Sequence, residues 1–267
     1  MKYIRLLIIF LMISAAATGC SSKQDAVAQN PDTIIESSGK SDAAVQNSEQ
    51  KILAESFIDY YNKGDAASVI GLLSRDIVTE QKAGDQESKS MDEKSVHDSI
   101  KYNILWKHNI KILEWTSASG DIISLKVEES GDEYKIMGIN TVLEEMTFEI
   151  KGGKIGKIRT VIDKATVEQM LEKAGGGIGA KVLVSADFIT ITEIASGLPA
   201  DKAGVKVQDR IIAIDEIKCS SMREGEGFLR LRGPVNSTVT LTISRGDGGQ
   251  PFDIKVIRED LSKAAGN

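Results

Sequence analysis

Residues 177–215 read GIGAKVLVSADFITITEIASGLPADKAGVKVQDRIIAID, and residues 222–260 continue with MREGEGFLRLRGPVNSTVTLTISRGDGGQPFDIKVIRED. Short runs of β-branched residues alternate in both stretches with glycine and proline, which end strands and form turns. This pattern predicts a small β-rich domain with two short helices. A further helix precedes it, opened by Thr166 with Gln169 as a capping box and ended by the glycines at 175–177.

These residues resemble the PDZ domain of the carboxy-terminal processing proteases, and we expect that domain to span residues 166–260. The resemblance implies a barrel-like strand arrangement with two helices and a groove that binds peptide or protein C-termini. Five motifs carry it in the family's order: Ser196–Ala200, Ala203–Val205, Asp209–Asp215, Leu231–Pro234 and Val239–Ile243.

The predicted peptide site lies around the first glycines of this domain. Glycines allow the backbone to bend so that amide N–H groups point into one concavity, which suits a terminal carboxylate. The following strand, 180–184, offers backbone groups to an added peptide strand. The resemblance implies a pocket lined by Ile178, Phe228 and Leu231, although plain core packing remains an alternative for all three. The predicted site residues are Gly177, Ile178, Gly179, Ala180, Val182, Phe228 and Leu231.

Four positions depart from the family pattern. Gln208 and Glu216 replace glycines next to turns, so each is expected to strain a positive-φ conformation by about 1 kcal/mol. Gly225 and Gly227 are expected inside the second helix, where each costs about 1 kcal/mol relative to alanine. Cys219 is predicted to be a buried or edge thiol without a redox role.

Residues 48–165 show a different pattern. Apolar residues recur at helical spacing in the first part of this segment, with Gly64 ending one helix and Asp65 capping the next. From Ile110 onward the period changes to two, and Gly152-Gly153 predicts a tight turn between strands. Helices followed by antiparallel strands predict an α+β domain in which the helices pack on a curved antiparallel sheet.

The opening FIDYYNKGDAASVIGLLSRDIV and the closing MTFEIKGGKIGKIRTVIDKAT of this segment resemble a nuclear transport factor 2-like domain, the cone-shaped fold of polyketide-cyclase-like proteins. Some members of that fold are enzymes, and the acid–base candidates here are His97, His108, Tyr134 and Asp163. Two isolated histidines are a weak metal signal, so both are interpreted as surface or structural residues, and no metal or cofactor is predicted. Asp163 is interpreted as a linker or capping residue.

The N-terminus predicts export. Residues 1–19 combine Lys2 and Arg5 with a short apolar run and small residues, which is typical of a signal peptide. Small residues before Cys20 resemble the lipobox of bacterial lipoproteins, which implies acylation of that cysteine and retention on the extracytoplasmic face of the cell membrane. Residues 20–47 are rich in small polar side chains and are predicted to be a disordered tether.

Composition and motifs limit the function further. The formal net charge of −6 argues against nucleic-acid binding. Only residues 261–267 follow the PDZ-like segment, so no serine–lysine catalytic domain is expected, and the chain is interpreted as a binding module rather than an enzyme. The leading hypothesis is a lipid-anchored adaptor that captures C-terminal peptides, with service to an envelope protease as a subsidiary hypothesis. The alternatives are a small-ligand carrier or enzyme that uses the cone, and a structural lipoprotein with an occluded groove.

Overall fold

The computed structural model describes residues 49–85, 89–246 and 249–261. The predicted signal peptide, the tether, Cys20 and most of the tail therefore lie outside the described residues. Among the described residues, no helix has both the length and the apolar content needed to cross a bilayer. The chain is α+β, as the sequence predicts, with a helix-covered sheet in its first part and a PDZ-type arrangement in its second.

The first part, called here the cone, consists of residues 49–162. Its three main helices are α1 (Glu49–Asn62), α2 (Ala66–Gly71) and α3 (Glu93–Leu105), and a short helix α4 (Asp132–Ile136) follows the fourth strand. The strands are β1 (Leu73–Ala83), β2 (Lys89–Met91), β3 (Asn109–Ser119), β4 (Ile122–Ser130), β5 (Val142–Lys151) and β6 (Lys154–Ile162).

The residues predicted to end a helix, cap a helix and form a turn in the cone have the expected conformations. Gly64 has a left-handed φ of 76°, and the Asp65 side chain accepts from the Ser68 backbone N–H to cap α2. Gly152 and Gly153 both have positive φ in the turn between β5 and β6. Because L-residues rarely adopt this conformation, two successive glycines allow a two-residue hairpin turn here.

The cone sheet has the order β2-β1-β6-β5-β4-β3. Its pairings are antiparallel except that of β1 with β6, which is parallel and differs from the predicted all-antiparallel sheet. Register shifts interrupt the β3–β4 and β5–β6 ladders, and such bulges bend a sheet. The helices cover its concave face, and the core between them includes Phe57, Tyr61, Ile100, Met146 and Phe148.

Helix α5 (Lys164–Ala174) connects the cone to the second part. Asp163 is its N-cap, because the Asp163 side chain accepts from the Thr166 backbone N–H at 2.6 Å. The predicted capping role of Asp163 is confirmed, whereas the prediction that Thr166 opens the helix is wrong. The Asp163 carboxylate accepts from the backbone N–H of Thr166, so the helix begins at Lys164, before Thr166.

The second part consists of eight short strands and two short helices. The strands are β7 (Gly176–Gly177), β8 (Ala180–Val184), β9 (Ile189–Ile194), β10 (Arg210–Ile214), β11 (Ile217–Lys218), β12 (Thr238–Ser244), β13 (Phe252–Ile257) and β14 (Glu259–Asp260). The helices are α6 (Pro199–Lys202) and α7 (Glu226–Leu231), with a 3-10 turn at Cys219–Ser221. The main sheet has the order β13-β12-β10-β9-β8, with β11 paired to β10 and a separate β7–β14 pair. This sheet is open rather than barrel-like, since β8 and β13 form its two edges.

The two parts share a buried apolar cluster. It joins cone residues such as Trp106 and Tyr134 to Met170 of α5 and Leu229 of α7. At its edge the Arg223 guanidinium lies 4.1 Å from the Trp106 ring centroid and donates to the Asp132 carboxylate at 3.0 Å. Helix α7 is therefore held from the cone side as well as from its own sheet.

The expectation for Gly225 is also wrong. Gly225 is the N-cap of α7, with φ of 85°, and does not lie inside the helix. This left-handed conformation favours glycine, so Gly225 is a requirement of the chain path and not a weakness of the helix. Gly227 does lie in α7, but a Cβ there would approach the Ile189 side chain to 2.4 Å, so its small size permits close packing.

Candidate functional site

Strand β8 forms one edge of the PDZ-type sheet. It pairs with β9 on one side only, and no strand of the described residues pairs with its other side. Ala180 and Val182 turn toward the apolar core, whereas Leu183 and Val184 are exposed. An edge strand of five residues with free backbone groups is the element to which an extended peptide adds.

The glycine loop before β8 contains the predicted carboxylate site. Gly179 has φ of 72°, and a Cβ on it would come within 2.5 Å of Leu198. A Cβ on Gly177 would lie 3.1 Å from Nη1 of Arg232 and 2.7 Å from the Leu261 side chain. Both glycines are therefore needed for the close approach of neighbouring groups to this loop.

Arg232, the C-cap of α7, lies against this loop, and sequence reasoning did not single it out. Its side chain is half-buried, and burial lowers its pKa. It lies 5.9 Å from the Phe228 ring, and no carboxylate of the described part of the chain forms an ion pair with it. The sequence signal was available, since Arg232 lies within the Leu231–Pro234 motif that carries the PDZ resemblance.

The predicted pocket residues fall into two groups. Ile178 and Leu231 are both buried in the apolar core of the PDZ-type sheet, against which Ala180 and Val182 also pack. Phe228 is half-buried on α7 and lies outside that core. The structure thus brings Ile178, Leu231, Ala180 and Val182 together, and their pocket role stays a prediction.

The structure also agrees with the expectations for Gln208, Glu216 and the Cys219 thiol. Gln208 and Glu216 have φ of 73° and 69°, so both non-glycine residues occupy the left-handed region. Cys219 is buried, and its thiol donates to the Ile211 carbonyl. Burial raises the pKa of the Cys219 thiol, which keeps it protonated and unreactive.

A second candidate site is a cavity of about 140 Å³ between α1, α3 and the concave face of the cone sheet, called here the cone cavity. Apolar side chains such as Phe57, Ile100, Met146 and Ile158 form part of its wall. Its polar residues include four glutamates, one histidine and two tyrosines: Glu80, Glu129, Glu133, Glu144, His108, Tyr61 and Tyr134.

His108 is at the centre of this polar group. Its Nδ1 lies 2.9 Å from Glu129 Oε1 and its Nε2 lies 3.0 Å from Glu133 Oε1. Burial alone would lower the pKa of His108, but the hydrogen bonds and negative charges of the two glutamates outweigh burial and raise that pKa to about 10. At neutral pH His108 is therefore an imidazolium that donates to both carboxylates.

Glu129 connects His108 to the rest of the cluster. Its carboxylate accepts from the Tyr134 hydroxyl at 3.1 Å and from the Tyr61 hydroxyl at 3.4 Å. Glu144 lies beside it, where burial and then the negative charge of Glu129 raise the pKa of Glu144 well above its usual range. Glu144 therefore takes up a proton more readily than an exposed glutamate does, and it lines the cavity.

The acid–base candidates of the cone divide accordingly. His108 and Tyr134 lie in this cluster. Of the two alternatives for His108, surface or structural, the structure supports the structural one, because two carboxylates satisfy its ring inside the fold. His97 is a half-buried residue of α3 and does not line the cavity. Trp106 lies in the cluster shared with α7 and does not fill the cone.

Sequence reasoning missed the three glutamates of this cluster, although strand parity could have indicated two of them. Glu129 follows Ile123, Leu125 and Val127 at the inward positions of β4. Glu144 precedes Met146 at the inward positions of β5. A carboxylate at a position where alternation demands an apolar residue is a signal of a functional or structural polar cluster.

Solved structures give weak likenesses to the cone. An NTF2-like protein of unknown function from Cytophaga hutchinsonii has a TM-score of 0.35 at 11% identity, covering 44% of this chain and 92% of that chain. A putative ketosteroid isomerase from Kribbella flavida has a TM-score of 0.36 at 14% identity, covering 43% of this chain and 78% of that chain. At these TM-scores the likeness carries no argument, and the strand order and helix packing of the cone define its fold.

The second part matches known sequences more clearly. Residues 176–256 match the PDZ domain family. The carboxy-terminal-processing protease of Bartonella bacilliformis is 36% identical over 90 residues, which are 34% of this chain and 21% of that protein. The probable CtpA-like serine protease of Staphylococcus aureus is 33% identical over 85 residues, which are 32% of this chain and 17% of that protein. The matches thus span about a fifth of each relative's length, and within this chain they are confined to a PDZ domain similar to that of carboxy-terminal processing proteases.

Proposed function

We propose that this protein is a lipid-anchored, extracytoplasmic adaptor that captures the C-termini of peptides or proteins through its PDZ domain and serves an envelope protease. The observation that carries the proposal is the outer edge of β8, which no described strand covers, next to the Gly177–Gly179 loop. A peptide that adds to this edge in antiparallel register extends the sheet by one strand. Its terminal carboxylate then lies at the glycine loop, where the chain bends.

Arg232 supports the carboxylate end of this binding mode. A half-buried guanidinium without a carboxylate partner costs free energy, because the charge is partly removed from water. A peptide carboxylate at the loop would offset that cost by a charge-assisted hydrogen bond to Arg232. The proposal therefore assigns recognition of the free C-terminus to Arg232 together with the loop amides.

The decisive experiment compares peptide ends. A library of short peptides with free C-termini is screened against the full chain, and the strongest binder is then measured by fluorescence anisotropy as the free acid and as the C-terminal amide. We expect amidation to weaken binding about tenfold or more, since it removes the charge that pairs with Arg232. In Arg232→Gln the two peptide forms should bind almost equally.

Arg230→Gln is the matched control. Arg230 also lies on α7, but its guanidinium already pairs with Glu226 at 2.6 Å. This variant should keep the preference for the free acid. An absence of binding by every peptide, or an equal affinity of acid and amide for the unaltered chain, would refute C-terminal capture.

The anchored and non-catalytic parts of the proposal need separate tests. Cells that express the full chain are fed an alkyne fatty acid, and labelling of the protein should disappear in Cys20→Ala, because the thiol is the proposed acylation site. The strongest peptide is also incubated with the purified chain, and mass spectrometry should recover it uncut. Persistent labelling of the variant contradicts the anchor, and cleavage contradicts the adaptor.

A further inference from the structure

The charged side chains that line the cone cavity are mostly negative. Four glutamates line it, whereas no lysine or arginine of the described residues does, and His108 is the positive group of its wall. Glu80 is compensated from outside, because Lys157 pairs with it at 2.9 Å. The charges of Glu129 and Glu133 are shared by one imidazolium. The cavity thus has an excess of negative charge that its own residues do not neutralise.

The fourth carboxyl group, Glu144, is a buried residue of β5 that lines the cavity together with Glu129. Burial and the charge of Glu129 favour its protonated form. A positive ligand group at the same place would take over the role of the proton and allow Glu144 to ionise. Exchange of a proton for a ligand cation leaves the net charge of the site unchanged, so the protein needs no rearrangement of its other charges.

The rest of the cavity suits an apolar body rather than a bare ion. Phe57, Ile100, Met146 and Ile158 supply apolar wall, and the described residues contain no group of three His, Cys, Asp or Glu side chains placed to hold a metal. A cavity of about 150 Å³ accommodates a benzene-sized molecule, close to the 140 Å³ found here. Aromatic rings such as Phe57 and Tyr61 also attract cations.

One wall residue adds an unsatisfied polar atom. Thr79 lines the cavity, and its buried hydroxyl has no hydrogen-bond partner among the residues that the structure describes. Buried polar groups normally have a hydrogen-bond partner, either protein or ordered water. This observation is independent of the glutamates, and a polar group that reached the Thr79 hydroxyl would satisfy it.

We propose that the cone cavity binds a small organic cation, an ammonium or amidinium group on an apolar body of about the size of a phenyl ring, with Glu144 as its counter-ion. The cation enters as Glu144 releases its proton to solvent, while Glu129 keeps its bonds to His108, Tyr61 and Tyr134. This site is separate from the peptide groove and does not depend on the adaptor proposal.

The test uses three probes of the same shape and different charge on the full chain. Isothermal titration calorimetry compares benzylammonium, benzyl alcohol and benzoate at neutral pH. We expect benzylammonium to bind about tenfold more tightly than benzyl alcohol, which corresponds to about 1.4 kcal/mol, and benzoate to bind least. Titrations in buffers of different ionisation enthalpy should reveal proton release with benzylammonium alone.

Glu144→Gln keeps the shape and the hydrogen bond to Glu129 but cannot ionise. In this variant the advantage of benzylammonium over benzyl alcohol and the proton release should both disappear. Glu145→Gln is the matched control, because Glu145 is the next residue of β5 and is exposed. It should bind all three probes as the unaltered chain does.

The pH dependence gives an independent readout. The titratable groups that share the cavity wall with Glu144 are Glu80, Glu129, Glu133, His108, Tyr61 and Tyr134. Glu80 pairs with Lys157, His108 remains positive and the tyrosines remain neutral over the neutral range. Benzylammonium affinity should therefore rise with pH as Glu144 loses its proton more readily. Binding of benzyl alcohol or benzoate as tight as that of benzylammonium, or no heat from benzylammonium at millimolar concentration, would overturn the proposal.

Discussion

The polar side chains of the cone cluster are enclosed inside the fold, whereas the proposed binding groups of the PDZ domain lie at the edge of a sheet. In the cone, His108 bonds to Glu129 and Glu133 behind the helices, and His108, Glu129 and Glu144 are buried beside the cavity. In the PDZ domain the proposed binding element is backbone, the outer edge of β8, next to glycines and to Arg232. The two regions therefore respond to mutation differently: the cone through stability and charge, the PDZ domain through affinity.

This difference also explains how each region tolerates substitution. A buried ion cluster is sensitive to the loss of any member, because the remaining charges are left uncompensated in a medium that solvates them poorly. A backbone edge has no side chain to lose, so only residues that shape the loop affect it. The expected effects of substitution therefore decrease from the cone cluster, through the contact between the two regions, to the turns of the PDZ domain.

Removing the histidine from the cone cluster should have the largest effect. His108→Ala leaves Glu129 and Glu133 buried without their shared cation, so we expect a loss of about 3–5 kcal/mol in the free energy of unfolding. Urea denaturation followed by circular dichroism measures it. His97→Ala is the control, since His97 is a half-buried residue of α3 outside the cluster, and a comparable loss there would contradict the central role of His108.

The same cluster predicts how stability depends on pH. In the folded chain the pKa of His108 is raised from 6.5 to about 10 and that of Glu144 is also raised, so the folded state binds more protons than the unfolded state. The His108 contribution is complete below about pH 6.5 and is lost as pH rises toward 10, whereas the Glu144 contribution already begins to fall above its ordinary pKa of 4.5. Together they are on the order of a few kcal/mol.

Urea unfolding at a series of pH values provides the measurement. The downward slope between pH 6.5 and 10 should persist in His97→Gln and become shallower in His108→Gln. The resonances of the His108 ring should show the imidazolium through neutral pH. A flat stability profile, or a ring that titrates near its ordinary pKa, would show that the glutamates do not hold the proton.

The sequence predicted the PDZ region better than the cone for a physical reason. PDZ turns depend on local residues such as Gly179 and Pro199, whose backbone requirements are visible in a single sequence. The cone cluster joins His108, Glu129 and Glu144 from three different segments, and their proximity follows from strand pairing, which local sequence does not specify. Strand parity could have indicated Glu129 and Glu144, but not that His108 reaches them.

The parallel pairing of β1 with β6 was unpredictable for the same reason. Alternation in β1 specifies which face is buried, but not which neighbour the strand pairs with. Similarly, Gly225 was expected inside α7 because its φ of 85° is invisible in the sequence. Local rules therefore predicted most elements, while pairing and cluster formation required the fold.

The shared cluster between the two regions gives a test of whether they unfold together. Leu229→Ala removes a buried side chain that α7 inserts into this cluster, so we expect a loss of about 2–4 kcal/mol. Trp115 packs against the cone core and Trp106 lies in the shared cluster, so tryptophan fluorescence reports the cone and that cluster while circular dichroism reports the whole chain.

The unfolding transitions seen by fluorescence and by circular dichroism should coincide in the unaltered chain. They should separate in Leu229→Ala, because α7 then packs less tightly against the cone. Leu231→Ala is the matched control on the same helix, since Leu231 packs in the PDZ core alone. It should lower the midpoint while the two signals still coincide. Coincident transitions in Leu229→Ala would show that other contacts couple the regions.

The smallest effect concerns the turns of the PDZ domain. Gln208 and Glu216 hold positive φ without a glycine, so Gln208→Gly and Glu216→Gly should each raise the free energy of unfolding by up to about 1 kcal/mol. Gln208→Ala is the control, because alanine has a Cβ and keeps the strain, so it should not stabilise the chain. The gain from glycine is limited by the greater entropy of the unfolded chain, which opposes it. A stabilisation by alanine equal to that by glycine would mean that the glutamine side chain, rather than its backbone conformation, is unfavourable at this turn.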